Sequence, residues 1–309
     1  MKRILLIAII ATAWSSVFAQ QEAMYTHYMY NTLAVNPAYA GTRDAMTFTA
    51  LHRSQWVGFE GAPTTQTFTM HTPLRNKKIG IGISVINDVI GPDRNTGFYV
   101  DYSYKLRINK KAQLGLGLKA GLSLLKSSLS SLDLDDSNDP VFNNDVASKL
   151  LPNFGFGAYY FTDKWYVGFS IPRLLENNYS DNSIEGSANV FGDGKHYYII
   201  GGANFKIADK IDFRPVSLIK INAGAPMEID LTAMFVYDNK FSLGIMGRSG
   251  DAIGILASIM VLEQLEVGYS FDWSFINSTK VYNAGSHEIF LRYDLVFKNE
   301  ARIHSPRYF

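Results

Sequence analysis

Residues 114–122 read Leu-Gly-Leu-Gly-Leu-Lys-Ala-Gly-Leu, so that apolar side chains alternate with glycine or lysine. Successive side chains of a β-strand point to opposite faces, and this stretch therefore predicts a strand with two unlike faces. Residues 79–85, 265–272 and 289–297 repeat the pattern. Helical spacing is hard to find after residue 20, so the chain is predicted to be all-β.

The composition of the two strand faces favours a membrane barrel over a soluble sandwich. One face carries Leu, Ile, Phe and Tyr in strand after strand, whereas the other carries glycine and isolated charges. This distribution fits an apolar face toward lipid and a polar lumen, and only a closed barrel satisfies all strand backbone groups in lipid. The charges expected to face the lumen include Asp101, Lys119, Asp230, Arg248, Asp272 and Arg292.

The number of alternating segments predicts a transmembrane antiparallel barrel of about 14 strands, an even number typical of single-chain bacterial barrels. The barrel is expected to cover residues 44–298, with short turns alternating with longer outer loops. Pro215 interrupts the alternation of the ninth strand, near residues 211–221, because proline cannot donate to a strand ladder. The predicted strands lie near 44–54, 63–74, 78–88, 96–107, 112–125, 152–162, 164–173, 195–207, 211–221, 227–238, 240–249, 252–262, 264–275 and 285–298.

Segments outside the predicted barrel suggest export to the outer membrane. Residues 1–19 resemble a signal peptide, with Lys2 and Arg3 before an apolar stretch and Val17-Phe18-Ala19 as the cleavage site. Residues 20–43 lack alternation and are interpreted as either a periplasmic lead-in or a plug in the lumen. Residues 299–309 are expected to form a short C-terminal tail.

Composition excludes several classes of protein. The 309 residues include 29 Lys and Arg, 28 Asp and Glu, and no Cys, with 47% hydrophobic and 18% charged residues. Intrinsic disorder needs low hydrophobicity and high net charge, and a Cys-ligated metal site needs thiols. Near-neutral charge also argues against nucleic-acid binding, which usually requires a basic face.

No motif in the sequence points to catalysis, and no cofactor or metal is expected. The acidic loop at residues 133–139 lacks the glycine and the final glutamate of a calcium loop, so a solvated outer loop is favoured over weak cation binding. His52 and His71 lie on strands that a hairpin could pair. An outer-membrane hydrolase would need a Ser or Thr within reach of one of them, but no nucleophile motif is present.

Several segments, taken together and in order, resemble the PorP/SprF family of type IX secretion-system membrane proteins of Bacteroidota. They are Asn-Pro-Ala-Tyr-Ala-Gly at 36–41, Gln-Trp-Val-Gly-Phe-Glu-Gly-Ala-Pro-Thr-Thr at 55–65, Pro-Asn-Phe-Gly-Phe-Gly at 152–157, Gly-Phe-Ser-Ile-Pro-Arg-Leu-Leu at 168–175, Gly-Tyr-Ser-Phe-Asp at 268–272 and Gly-Ser-His-Glu-Ile at 285–289.

The resemblance implies a fatty-acid-transporter-like outer-membrane barrel that takes part in type IX secretion and, in some members, gliding motility. It implies binding of secreted proteins through their C-terminal sorting domains, and contact with periplasmic secretion-machinery and peptidoglycan-binding components. It gives no catalytic residues to carry over. Partner or plug contacts are expected at Asn36, Pro37, Tyr39, Gly41, Trp56 and Phe59, the last two as exposed anchors.

Two functions therefore stay open at this point. The first is a non-enzymatic, partner-binding barrel that helps to secrete or anchor surface proteins. The second is a channel or transporter for a small, apolar ligand, which an open lumen or a side opening near Pro215 would favour.

Overall fold

The computed structural model describes residues 23–131, 145–176, 194–222, 226–275 and 284–296, and these contain fifteen β-strands and three short helices. The predicted signal peptide, the acidic loop and the predicted C-terminal tail lie outside the described residues. The strands are β1 (Met46–Ser54), β2 (Thr64–Pro73), β3 (Ile79–Ile90), β4 (Asp93–Arg107), β5 (Ala112–Ser127), β6 (Val146–Thr162), β7 (Trp165–Ile171), β8 (His196–Ala203), β9 (Phe205–Ala208), β10 (Ile211–Asn222), β11 (Glu228–Tyr237), β12 (Phe241–Arg248), β13 (Ala252–Leu262), β14 (Leu265–Ser274) and β15 (Ser286–Leu295). The helices are α1 (Thr32–Val35) and two 3-10 helices, Pro37–Tyr39 and 129–131.

The strands close into a 14-stranded antiparallel barrel, as the alternation predicts. Consecutive strands pair along the chain, and β15 returns to pair with β1. Strands β8 and β9 count as one barrel strand because both pair with the same neighbour, β10. Within the described residues, no helix has the length and apolar character needed to cross a membrane.

The predicted eighth strand at residues 195–207 is split in two, and the split lies opposite Pro215. Pairing of β8 with β10 ends at Gly202 and Val216, and pairing of β9 begins at Phe205 and Phe213. Proline has no N–H for the ladder, so a break at this point costs little further hydrogen bonding. Strand β10 nevertheless runs through Pro215 and pairs with β11 on its other side.

Burial along the strands shows which face points outward. Leu118 is 59% exposed and its neighbour Lys119 only 3%, and the same alternation holds in most of the other strands. The exposed apolar residues thus form the outer, lipid-facing surface, and the buried charged residues and many of the glycines face the lumen. The short turns at 74–78, 108–111 and 162–164 lie at one end of the barrel, which is the periplasmic end in such proteins. The opposite end is called the loop-side mouth below.

Residues 23–43, called the plug below, lie inside the lumen. Nearly every residue from 25 to 41 is buried, and the helices α1 and Pro37–Tyr39 lie within this stretch. The plug contacts inward-facing groups on strands from both sides of the barrel.

Candidate functional site

The loop-side end of the plug is held by a buried cluster of Thr26, His27, Arg53, Asp272 and Glu288, called the latch below. Glu288 accepts hydrogen bonds from the backbone N–H groups of Thr26 and His27, at 2.9 and 2.7 Å, and contacts the His27 ring at 2.8 Å. Arg53 lies 2.7 Å from Asp272 and 3.3 Å from Glu288. Two carboxylates and one guanidinium are thus paired out of contact with water, the condition under which buried charges are tolerated.

A second ion pair lies beside the start of the plug. The Arg248 guanidinium donates two hydrogen bonds to the Asp230 carboxylate, both 2.9 Å long, and a third of 3.4 Å to the carbonyl of Tyr25. Two parallel bonds of this kind fix the orientation of the arginine. The pair therefore positions one donor for the plug backbone.

Aromatic side chains fill the first half of the plug, residues 23–31. Tyr30 stacks on Phe290 with ring centroids 4.3 Å apart, and the Arg292 guanidinium lies 4.9 Å from the Tyr30 centroid. Tyr28 reaches Thr232 at 3.2 Å. These contacts are made by side chains, with ring against ring, guanidinium against ring and hydroxyl against hydroxyl.

The second half of the plug, residues 32–43, contacts the wall through its backbone. Lys119 donates to the carbonyls of Leu33 and Ala34 at 3.3 and 3.1 Å, beyond the last turn of α1. The Asn36 amide donates to the carbonyl of Ala158 at 3.1 Å and accepts from the N–H of Ala38 at 3.0 Å. Lys119 of the wall thus satisfies carbonyls that the short helix α1 leaves free, and Asn36 of the plug caps the helix at Pro37–Tyr39.

Glycines on the wall make room for this backbone. A Cβ at Gly117 would overlap the backbone of Pro37 and Ala38, and a Cβ at Gly80 would overlap the backbone of Ala40 and Gly41. Because the obstacles are main-chain atoms, no rotamer change could relieve the overlap. The plug backbone therefore packs directly against the glycine face of the wall.

The periplasmic end of the plug is fixed by a turn and an ion pair. Gly41 has a φ of +67°, a left-handed conformation that favours glycine, and its N–H donates to the His71 ring at 3.2 Å. Lys105 donates to the Gly41 carbonyl. Arg43 then pairs with Asp294 at 2.5 Å before the chain enters β1.

The loop at 55–63, called the mouth loop below, stands at the loop-side mouth. Phe59 is 41% exposed, whereas Trp56 is half-buried, so only one of the two expected anchors is fully exposed. Val57 donates to the carbonyl of Gly285 at 2.8 Å and accepts from Ala284 at 2.7 Å. Trp56 has a φ of +44°, which is strained for a bulky side chain. Backbone bonds on both sides thus hold a strained, partly apolar loop in place.

One protein-family model covers most of the chain. The family model described as type IX secretion system membrane protein PorP/SprF matches residues 17–293. This chain belongs to that family. The PorP/SprF barrel is accordingly an outer-membrane component of a type IX secretion system.

Solved structures resemble the PorP/SprF barrel only distantly in sequence, and no curated protein matches it. A monoaromatic hydrocarbon channel, CymD, is 11% identical with a TM-score of 0.49 and covers 87% of this chain and 93% of its own. Omp33 of Acinetobacter baumannii is 11% identical with a TM-score of 0.44, covering 83% and 100%. A FadL homologue of Pseudomonas aeruginosa is 12% identical with a TM-score of 0.43, covering 85% and 94%.

The structure places the sequence-selected residues of the PorP/SprF barrel in two regions. The plug contains four of them, Asn36, Pro37, Tyr39 and Gly41, all buried. Trp56 and Phe59 belong to the mouth loop. The six lumen charges are all buried on inward faces: Asp101, Lys119, Asp230, Arg248, Asp272 and Arg292. Asp101 and Lys119 lie 3.5 Å apart.

The inward-facing charges of β14 and β15 pair with different partners. Arg292 pairs with Glu266 at 2.5 Å, Asp294 pairs with Arg43 of the plug, and Asp272 pairs with Arg53. The plug supplies Arg43 to one of these pairs, whereas Glu266 and Arg292 face each other across the wall strands β14 and β15.

Sequence reasoning missed the latch. Thr26 and His27 lie in a segment without strand alternation, and their partner Glu288 is more than 260 residues away in the chain. The one available signal was the inward register of Arg53 and Glu288, which face each other across β1 and β15.

The two histidines considered for hydrolysis point to opposite sides of the wall. His52 is exposed and contacts Ser54 at 3.1 Å, whereas His71 is buried, contacts the ring of Tyr39 and accepts from Gly41. They therefore cannot share a site. Among the described residues, no three His, Asp or Glu side chains are grouped to hold a metal ion.

Proposed function

We propose that this barrel is a non-enzymatic docking component of the type IX secretion system, which holds exported proteins at the cell surface through their C-terminal domains. Its periplasmic turns would contact secretion-machinery and peptidoglycan-binding components, and its outer surface contacts lipid. One observation carries the proposal, namely that the plug fills the lumen and is fixed at both ends.

A fixed plug argues for binding at the rim rather than passage through the lumen. Thr26 and His27 are tied to wall carboxylates at one end, and Arg43 to Asp294 at the other. Wall glycines fit the plug backbone between these ends. Moving a solute through this lumen would require breaking buried ion pairs, and removal of one partner of such a pair typically costs about 3–5 kcal/mol.

The mouth loop offers a surface for a protein partner. Val57 and Phe59 are 38% and 41% exposed, and backbone bonds to Ala284 and Gly285 hold the loop in place. Aromatic side chains on a preorganised loop bind at a low entropic cost, which is the usual property of interface anchors.

Affinity purification of the tagged barrel from detergent-solubilised outer membrane, followed by mass spectrometry, tests this proposal. We expect recovery of an exported protein with a C-terminal sorting domain, together with periplasmic machinery. The double variant Trp56→Ala/Phe59→Ala should lose the exported protein but keep the machinery.

Trp165→Ala is the matched control, because Trp165 is a 45% exposed tryptophan at the periplasmic end of β7. It should leave recovery of the exported protein unchanged. Recovery of a barrel without protein partners, or equal losses for both variants, would contradict the proposal.

A second candidate function, transport of a small apolar ligand, is favoured by a cavity on the outer surface. The cavity measures about 760 Å³ and adjoins the break between β8 and β9. Small residues line it, including Gly201, Ala203, Pro215, Ala233 and Gly247. On the lumen side of the break, Arg214 donates to Asn204 at 3.0 Å and bridges the gap. Uptake of an apolar ligand by vesicles containing the barrel, lost on filling the cavity with Gly201→Leu, would support transport.

A further inference from the structure

We infer that the plug is threaded through the full height of the barrel, so that the chain at Ala23 lies at the loop-side mouth, on the outside of the cell. The plug enters the lumen from β1 at the periplasmic end and runs toward the mouth. This inference goes beyond the docking proposal and does not depend on it.

The first contacts of the plug are all with strand ends at the loop-side mouth. Tyr25 contacts Arg248, the last residue of β12, and Thr26 contacts Asp272, two residues before the end of β14. Thr26 and His27 both contact Glu288, the third residue of β15. These partners lie on three strands, β12, β14 and β15, and all of them are near the loop-side mouth.

The last contacts of the plug are with strand ends at the opposite side of the membrane. Gly41 packs on Gly80, the second residue of β3 after a short turn. Arg43 pairs with Asp294, the next-to-last residue of β15. Glu288 and Asp294 therefore mark the two heights on one strand, with the plug between them.

Residues between the two ends of the plug contact the wall at positions between the two mouths of the barrel. Asn31 donates to Thr67 in the middle of β2, and Ser170 donates to the carbonyl of Val35. Ser103, nearer the periplasmic end of β4, donates to the carbonyl of Ala38. The plug thus contacts the wall between its two ends as well, as expected of a single pass across an apolar band about 25 Å tall.

Burial along the plug agrees with an emerging N-terminal end. Residues 25–41 are buried, whereas Ala23 and Met24 are only half-buried. They approach the same mouth as Phe59. The start of the plug would therefore form part of the outer surface that an exported protein meets.

Single-cysteine labelling tests the threading, because the chain has no Cys of its own. Ala23→Cys is treated with a membrane-impermeant maleimide on intact cells and again after permeabilisation of the outer membrane. Glu60→Cys in the mouth loop and Arg75→Cys in a periplasmic turn are the controls, and both positions are exposed.

We expect Ala23→Cys and Glu60→Cys to be labelled equally before and after permeabilisation, and Arg75→Cys to rise from background only afterwards. Labelling of Ala23→Cys only after permeabilisation, like Arg75→Cys, would overturn the threading.

A short peptide epitope inserted before Ala23 covers the case in which the maleimide cannot reach the cysteine in either sample. An epitope extends past neighbouring loops, so an antibody detects it whatever the local access at Ala23. Antibody binding to intact cells supports the threading. Binding only after permeabilisation, as for the same epitope inserted after Arg75, would refute it.

Discussion

The two halves of the plug rest on walls of opposite character. Residues 23–31 face β10 to β15, where large apolar side chains line the lumen, among them Val216, Leu218, Met234, Met246, Leu256 and Phe290. Residues 32–43 mainly face β2 to β7, where glycines line it, among them Gly80, Gly82, Gly115, Gly117 and Gly157. The first half is held by its side chains and the latch. The second half is held mainly through its backbone, which packs against glycines and accepts from wall side chains such as Lys119.

The difference determines how each half should respond to substitution. A wall of flexible side chains can adjust to a change of shape, since methionine in particular fills irregular gaps. A wall of glycine against main chain cannot adjust, because neither partner has a side chain to move. In the first half, loss of a charged group from the latch should therefore reduce the free energy of unfolding the most. In the second half, added side-chain volume should reduce it the most.

The largest effect is expected from Arg53→Met in the latch. This change leaves the buried carboxylates of Asp272 and Glu288 without their guanidinium, which typically costs about 3–5 kcal/mol. The free energy of unfolding in lipid vesicles and the rate of protease cleavage within residues 23–31 both report it. Lys240→Met, which removes an exposed ion pair with Asp238, should cost about 0–1 kcal/mol. Equal losses of unfolding free energy in the two variants would show that the latch stabilises the protein no more than an exposed ion pair does.

A smaller but more localised effect is expected from Gly117→Ala. The added methyl group overlaps the backbone of Pro37 and Ala38, and overpacking of this kind costs about 1–3 kcal/mol. The second half of the plug should become accessible to protease while the latch still protects the first. Gly247→Ala is the control, because a Cβ there has no atom within 4 Å. Unchanged protease protection in Gly117→Ala would contradict the claim that the glycine wall cannot adjust to added volume.

Tyr28→Phe should have a modest effect on the side-chain wall. It removes the hydroxyl contacts with Thr232 and the carbonyl of Val216, worth about 0.5–1.5 kcal/mol together with any buried group left unpaired. The ring remains in place, so protease protection of the plug should persist. A loss of protease protection comparable to that of Arg53→Met would show that the Tyr28 hydroxyl, and not the latch, holds the first half in place.

The smallest effect is expected from Met234→Leu, a swap of nearly constant volume on the same wall. Such exchanges usually cost less than about 1.5 kcal/mol. The same measurement of unfolding free energy checks it. A larger loss of unfolding free energy than that of Gly117→Ala would show that the side-chain wall adjusts to substitution no better than the glycine wall.

The barrel could be predicted from the sequence because its cause is local. Alternation along residues 114–122 shows both a strand and the identity of its two faces, and the same rule placed Lys119 and Asp272 inside. The strand count follows from the same pattern, although Pro215 interrupts the alternation in β10. The split at Asn204 does not, because residues 195–207 read as one continuous strand.

The latch and the filled lumen could not be predicted in this way. Glycine-rich inward faces leave space for either water or a plug, so composition alone kept both possibilities open. The contacts of Thr26 and His27 with Glu288 depend on how a non-repetitive segment folds back into the closed barrel. Such pairing is set by the tertiary structure and leaves no periodic signal.

Single-channel conductance in planar lipid bilayers tests the central claim most directly. The purified barrel and a variant lacking residues 23–43 are compared under the same conditions. A plug that fills the lumen predicts a closed barrel for the complete protein and steady conductance for the variant. Equal conductance of the two proteins would contradict the account, because the plug would then not block the lumen.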